Sequence, residues 1–361
     1  MKAAVFFGPN QPLKIENIDL DKPLDHEVLV RTAAVGVCHS DLHFVDGFYT
    51  MPTPAVLGHE PAGIVEEVGR AVTYLKPGDH VIACLSVFCG FCNECMSGHP
   101  NRCSNRAATQ RTKDQKPRLS LKGQPLNQAF NLSAYCERML VHENALVKIR
   151  EDFPLDRAAL IGCGVMTGVG AALNTAKVEP GSTVAVFGCG GVGISAIQGA
   201  RIAGARKIIA VDVFEGKLAM ARRFGATDTV DASHSDPIDE IRKLTGQGAD
   251  YAFEAIGNKQ AAEQAFNCVR PGGTATVIGM IPMGQKVELD GYMFLTERKL
   301  QGSNMGSNRF RVDMPRYIDF YLQGRLNLDD MISRRAKLED VNDAFRAMKA
   351  GEVARTVLMF Q

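Results

Sequence analysis

Residues 89 to 103 read CGFCNECMSGHPNRC, which places Cys89, Cys92, Cys95 and Cys103 with two, two and seven residues between them. Four thiols in so short a loop suit a soft tetrahedral cation, because zinc takes four thiolates at about 2.3 Å and offsets most of their mutual repulsion. Gly90, Gly98 and Pro100 supply the turns that wrap a backbone around one point. Four unligated surface cysteines are the weaker reading, since exposed thiols are reactive and seldom cluster without a use. A zinc ion saturated by four thiolates offers nothing to a substrate, so this loop is expected to be structural. The chain opens MKAAVFFGPNQ, an apolar run too short for a signal peptide, and its 361 residues are too many for a small disulfide scaffold. The thiols are therefore expected to be reduced and the protein cytoplasmic.

Three further residues carry soft or borderline metal donors beside motif-like sequence: Cys38 in CHSDLH, His59 in GHEPAGIVEEVG, and Cys163. Two thiolates and one imidazole leave a zinc position open, the arrangement of a catalytic site. Sequence distance does not show that the three meet. Taken singly, Cys38 and Cys163 read as buried thiols and His59 as an ordinary loop histidine. Cys84, Cys136 and Cys268 are scattered and read as small core hydrophobes.

A second chemistry is written between Ser182 and Asp212, STVAVFGCGGVGISAIQGARIAGARKIIAVD. Thr183 to Phe187 is apolar and β-branched, as a parallel strand buried on both faces should be. Gly188, Gly190 and Gly193 follow in G-x-G-x-x-G spacing, with Gly191 and Val192 at the start of a helix whose apolar face runs through Ala196, Ile197, Ala200 and Ala203. Asp212 closes the next strand, 19 positions after Gly193. A glycine-rich turn alone is weak evidence. Between strand and helix, with an acidic residue at this distance, it marks a dinucleotide site. The glycines admit a pyrophosphate to the positive helix end, and Asp212 would accept hydrogen bonds from ribose hydroxyls and repel a 2′-phosphate, favouring NAD over NADP. Lys217 either approaches that ribose or is a solvated helix lysine. TDTVD, ADYAFEAIG and GGTATVIG alternate with helical stretches, which makes a doubly wound α/β sheet.

The elements that must hold these groups belong to an ordinary globular chain, with 45% hydrophobic and 22% charged residues. A formal net charge of +1 gathers neither nucleic acid nor an anionic membrane surface, and no uninterrupted apolar run reaches the length of a membrane span. The C-terminal pattern Val341, Ala344, Phe345 and Met348 reads as helix packing.

CHSD, GHE-x2-G-x-V-x2-VG, the four-cysteine loop, and GCGGVG with Asp212, in that order, resemble the zinc-dependent medium-chain alcohol dehydrogenases of the liver-type and aryl-alcohol-like branch, over nearly the whole chain. The resemblance implies an α/β fold: a GroES-like β-rich catalytic domain from residues 1–163 and 305–361, and a Rossmann NAD-binding domain, 164–304, with a doubly wound parallel sheet. It implies a catalytic zinc on Cys38, His59 and Cys163, with Glu60 able to approach the metal during ligand exchange and Asp41 orienting His59. It further implies that Ser40 binds the alcohol oxygen and passes its proton by way of the nicotinamide ribose to His43, and that Arg355 contacts the cofactor pyrophosphate. The cofactors would be NAD and two zinc ions per chain. Such chemistry suits these residues, because ligation to zinc lowers a hydroxyl's pKa and an ionised alcohol is the better hydride donor. His39 stands where many liver-type relatives have arginine. A partly charged imidazole holds the pyrophosphate more weakly, so faster NADH release is expected.

Tyr49, Leu85, Tyr135 and Met280 resemble pocket positions of the family and give an apolar lining, which favours a medium-sized or aromatic primary alcohol over a polyol. The polar insertion 112–128 resembles a loop of dimeric relatives, so a homodimer is expected, or a tetramer. Glutathione-linked formaldehyde dehydrogenases are the nearest alternative; they use an acidic residue where this chain has Phe48 and Tyr49. A non-catalytic, zinc-stabilised NAD-binding sensor is a second alternative, against which stands the joint presence of Cys38, His59, Cys163, Ser40 and His43.

Overall fold

The strand Glu27–Gly36, EVLVRTAAVG, is rich in β-branched residues and buried along most of its length. In the computed structural model, which describes residues 1–351 and 355–360, it is the most heavily paired strand of a seven-stranded mixed sheet. Glu60–Val68 runs antiparallel along one side. Along the other, Arg138–His142 pairs with its first half and Thr356–Met359 with its last residues, both antiparallel. His80–Ala83 and Leu146–Lys148 extend the sheet at one end and Arg334–Ala336 at the other. Val28, Val30, Val35, Val65, Val81 and Val141 pack with Ala3 to Phe6 and Tyr135 into one apolar core.

This sheet belongs to the first of two compact units, Met1–Cys163 with Arg309–Leu322 and Leu328–Gln361. The second unit is Gly164–Asn308 with Gln323–Asn327. Residues 305–308 and 323–327 thus leave the catalytic domain to which the sequence assigns them. Local contacts explain the difference: Thr175 Oγ1 lies 2.7 Å from Ser307 Oγ, and Asn327 N donates to Gln198 Oε1 at 2.7 Å.

The second unit is built on six parallel strands in the order Asp228–Asp231, Lys207–Asp212, Thr183–Phe187, Ala249–Glu254, Val269–Val277, Lys299–Gly302. Thr183–Phe187 comes first in the chain but lies inside the sheet, so the strand order reverses beside it. Ligands of doubly wound sheets bind outside the carboxyl ends of the strands at such a reversal. Lys217, on the helix Glu215–Phe224, and the helix Lys259–Asn267 fall in this unit. One helical run, Leu155–Thr175, has the length and apolarity of a membrane span, and most of it is buried inside the protein.

Candidate functional site

Sheet register assembles the first site. Gly36 pairs with Glu60 and Val35 with Pro61, so the residues just beyond these paired ends, Cys38 and His59, emerge together at the same edge. A Cβ on Gly36 would lie 2.1 Å from Glu60 Oε2, which makes glycine a condition for the Glu60 carboxylate to occupy this place. Cys163 arrives from a different element. It sits in a π-helical turn, Ile161–Val165, inserted after the α-helix Leu155–Leu160. Such turns rotate the following side chains and recur at functional sites.

Together Cys38, His59, Glu60 and Cys163 form a buried set whose donor atoms all lie within 4.8 Å of one another. The set fits a zinc ion. Its donors are two thiols, an imidazole and a carboxylate, and His59 Nε2 and Glu60 Oε2 are buried polar atoms with no hydrogen-bond partner among the described residues, which a metal would satisfy. Glu60 therefore belongs to the donor set itself, where the sequence reading keeps it one step behind three ligands.

The four donors perturb one another strongly. A hydrogen bond from Cys163 holds Cys38 well below the ordinary thiol range, while that shared bond and burial hold Cys163 well above it. Burial opposes a charge on His59, but Asp41 and Cys38 outweigh it and raise its pKa. Burial pushes Glu60 up to about 7 against the pull of Arg355.

Arg355 stands against this set. Its Nη1 lies 3.1 Å from Glu60 Oε1 and 3.2 Å from the Val37 carbonyl, and the residue is 5% exposed. Its charge compensates the buried carboxylate.

Asp41 is in the first turn of the short helix His39–Val45 and is fully buried. Its Oδ1 accepts Gly58 N at 3.0 Å, and its Oδ2 lies 3.1 Å from His59 Nδ1. That leaves Nε2 as the metal-facing nitrogen of His59. Ser40 Oγ is 3.7 Å from Cys38 Sγ. His43 lies edge-on to the rings of Phe48 and Tyr49, with centroids 5.8 and 5.9 Å away, and burial holds its pKa below the ordinary imidazole value. His39 is exposed.

Of the expected pocket residues, Tyr49, Leu85 and Met280 are half-buried. Tyr135 is not a lining residue: it is fully buried and its hydroxyl donates to Asp41 Oδ2 at 3.0 Å. The sequence reading misses Phe130, whose ring centroid is 4.5 Å from that of His59 and 5.6 Å from that of Phe44. Phe130, Asn131 and Ser133 all have positive φ, near 60°. Three left-handed non-glycine residues in so short a run are costly and mark a segment held in place by its surroundings. No spacing rule gives such a contact; the only signal available is an aromatic at the end of the polar insertion.

The loop 89–103 forms the second donor set, Cys89, Cys92, Cys95 and Cys103, with ligand atoms again within 4.8 Å of one another. Backbone N–H groups of Cys89 and Cys92 donate to Cys103 Sγ and Cys89 Sγ at 3.3 and 3.4 Å, which stabilises thiolates. A backbone hydrogen bond at Cys95 draws Cys92 down to about 5, whereas burial pushes Cys95 up to about 12. A metal binding all four as thiolates would release protons, as zinc loops do.

In the second unit the glycine turn has the geometry of a phosphate cradle. Gly188 has φ +92°, and Gly190 caps the helix Gly191–Ala203. A Cβ on Gly193 would be 1.7 Å from the Gly188 carbonyl oxygen, so helix and turn touch there; a Cβ on Gly190 would meet nothing within 4 Å, so space is open beside the helix end. Asp212 accepts the Cys189 N–H on Oδ2 at 2.8 Å and the Val213 and Phe214 N–H groups on Oδ1 at 2.8 and 3.2 Å. The carboxylate is thus locked next to the turn. Lys217 places its ammonium 4.8 Å from the Phe214 ring centroid, beside exposed Val213 and Phe214.

Comparison with known proteins gives the same picture. Residues 24–151 match the model of the alcohol dehydrogenase GroES-like domain and residues 191–323 that of zinc-binding dehydrogenases. Alcohol dehydrogenase class-3 of Pisum sativum is 39% identical over 365 residues, covering 99% of this chain and 97% of the relative. Among solved structures, an alcohol dehydrogenase zinc-binding domain protein from Burkholderia ambifaria superposes with a TM-score of 0.95 at 36% identity, covering 100% and 98% of the two chains. Benzyl alcohol dehydrogenase from Acinetobacter calcoaceticus does so with a TM-score of 0.94 at 31% identity, covering 100% and 99%. With its buried thiol–imidazole–carboxylate set, four-cysteine loop and Rossmann turn, the chain belongs to the zinc-dependent medium-chain alcohol dehydrogenase family and is an alcohol dehydrogenase.

Proposed function

We propose that the protein oxidises a medium-sized apolar or aromatic primary alcohol to the aldehyde, reversibly, with NAD as hydride acceptor and two zinc ions per chain, one catalytic and one structural. The observation that carries this reading is the buried donor set Cys38, His59, Glu60 and Cys163 in a chain that also holds Asp212 rigidly against a glycine turn. Bound zinc supplies Lewis acidity toward an alcohol oxygen, and NAD supplies the hydride acceptor.

The chain's own residues do the rest. Cys38, His59 and Cys163 would hold the metal, whose charge two thiolates would temper. Glu60 lies in the same donor set, and Arg355 compensates its carboxylate. Ser40 hydrogen-bonds the substrate hydroxyl, and His43, kept neutral at physiological pH by its burial, accepts the released proton. Asp212 would accept the ribose hydroxyls and repel a 2′-phosphate.

An apolar substrate is supported by Phe130, Phe44, Tyr49 and Phe48, which surround His59 and His43 with aromatic surface. The similarity to a benzyl alcohol dehydrogenase agrees with this choice. A cytoplasmic homodimer is the expected form, and light scattering tests the assembly. Initial rates on benzyl alcohol, hexanol, ethanol and S-hydroxymethylglutathione, each with NAD and NADP, test the function. Highest kcat/KM is expected for benzyl alcohol or hexanol with NAD; a dominant rate on S-hydroxymethylglutathione would replace the substrate reading.

A further inference from the structure

The inner face of the metal cluster holds a hydroxyl group that packing does not require. Tyr135 is fully buried in the core of the first unit, where a phenylalanine ring would fill the same volume. A buried hydroxyl costs free energy unless it is hydrogen-bonded, and its partner among the described residues is Asp41 Oδ2, at 3.0 Å. That same oxygen lies 3.1 Å from His59 Nδ1. The Asp41 carboxylate has one other restraint among the described residues, the Gly58 N–H on Oδ1.

The backbone fixes where the hydroxyl arrives. Tyr135 N donates to the Leu57 carbonyl and Tyr135 O accepts Ala4 N, at 3.0 and 2.9 Å. Gly58, with φ +90°, lets the ring approach, since a Cβ there would lie 2.7 Å from Tyr135 Cδ1. Tyrosine, carboxylate and histidine are thus tied to the segment 57–59 at both ends.

We propose that Tyr135 is a positioning residue for the catalytic zinc: its hydroxyl fixes the Asp41 carboxylate, which in turn sets the orientation of His59. The proposal rests on the zinc reading of Cys38, His59 and Cys163. Without the hydroxyl, Asp41 Oδ2 gains rotational freedom and the imidazole is held less firmly. Removing a direct partner of a ligating histidine costs about 10–100-fold in metal affinity, and a group one bond further out should cost roughly 3- to 10-fold.

The test is zinc release to an excess of a chromogenic chelator, comparing wild type with Tyr135→Phe, Asp41→Ala and the double variant. Release of the cluster zinc is expected to be roughly 3- to 10-fold faster in Tyr135→Phe, with release from the four-cysteine loop unchanged. In the Asp41→Ala background, Tyr135→Phe should add no further acceleration, because its effect passes through Asp41. Cobalt substituted at the cluster should show a shifted d–d spectrum in Tyr135→Phe. Unchanged cluster release, or an equal acceleration with and without Asp41, overturns the proposal. Should Tyr135→Phe fail to fold, fluorotyrosine-labelled wild type gives the answer by fluorine NMR: the Tyr135 resonance should move on removal of the cluster zinc, and an unmoved resonance overturns the proposal. A wild-type chain that binds zinc only at the loop defeats the functional reading itself, whereas two zinc ions with unchanged release defeat only the role of Tyr135.

Discussion

Arg355 Nη1 stands 3.1 Å from Glu60 Oε1, and both side chains are buried. Taking one partner away leaves an uncompensated buried charge, which costs roughly 3–5 kcal/mol. Arg355→Met should therefore lower the melting temperature of the zinc-loaded protein markedly. Adding Glu60→Gln should restore part of the loss by removing the stranded carboxylate. A single Arg355→Met variant that melts with wild type would mean that the pair contributes nothing to the fold.

Two glycines of the phosphate turn should separate folding from cofactor binding. Gly190 has φ −75° and open space where a Cβ would go, so Gly190→Ala should fold with a stability within about 0.5 kcal/mol of wild type. A methyl group in that space would nevertheless meet a bound pyrophosphate, and NADH affinity should fall about tenfold or more, roughly 1.4 kcal/mol. At Gly193 a Cβ would sit 1.7 Å from the Gly188 carbonyl oxygen, so Gly193→Ala should lose stability and affinity together. Thermal melts and NADH fluorescence titrations read both quantities. Unaltered NADH binding in Gly190→Ala would place the cofactor elsewhere.

The same turn shows what a sequence discloses. Strand, glycine spacing, helix and Asp212 are local, and local order determines their geometry, so the glycine turn and its acidic neighbour were legible in the sequence. The four-cysteine loop was legible for the same reason. Cys38, His59 and Cys163 were legible only through resemblance, because their meeting depends on the Gly36–Glu60 register and on a π-helical turn, and neither has a spacing signature. Tyr135 was misplaced, and the Arg355–Glu60 pair unforeseen, because burial is a property of the whole fold: each lies opposite a carboxylate distant in sequence, Asp41 and Glu60. Phe130 was missed because its approach to His59 needs a left-handed backbone at a non-glycine residue.

His142 supplies a pH dependence away from the metal cluster. Burial pushes its pKa down to about 4, with help from Arg118 and His26 and against Glu143 and Glu27. Its Nδ1 accepts the Asn144 N–H at 3.0 Å, a bond that protonation would abolish. The folded value lies below the unfolded one, near 6.5, so the unfolded chain binds more protons between them. The contribution of His142 is full above about pH 6.5 and is lost as the pH falls toward about 4. Melting temperatures measured from pH 8 to pH 4.5 with zinc in excess should fall less steeply for His142→Asn than for wild type. Parallel curves would show that His142 titrates normally in the folded protein.

The two donor sets should be separable by metal analysis. Wild type is expected to carry two zinc ions per chain, since each set offers four donor groups within 4.8 Å. Cys163→Ser replaces a soft thiolate by a hydroxyl that zinc binds poorly, so this variant should retain one zinc ion, keep its fold and lose alcohol oxidation by at least about a thousandfold, the scale of a lost Lewis acid. Cys92→Ser should also retain one ion, but with the opposite pattern: the loop 89–103 loses its metal cross-link, the melting temperature drops, and turnover per correctly folded chain persists. Metal content, melting temperature and benzyl alcohol turnover measured on the same samples distinguish the cases. If Cys163→Ser remains active with one zinc ion, the metal at Cys38, His59 and Cys163 does not perform the reaction. If Cys92→Ser abolishes turnover without lowering the melting temperature, the division of labour between the two sites is the reverse of the one drawn from their donors.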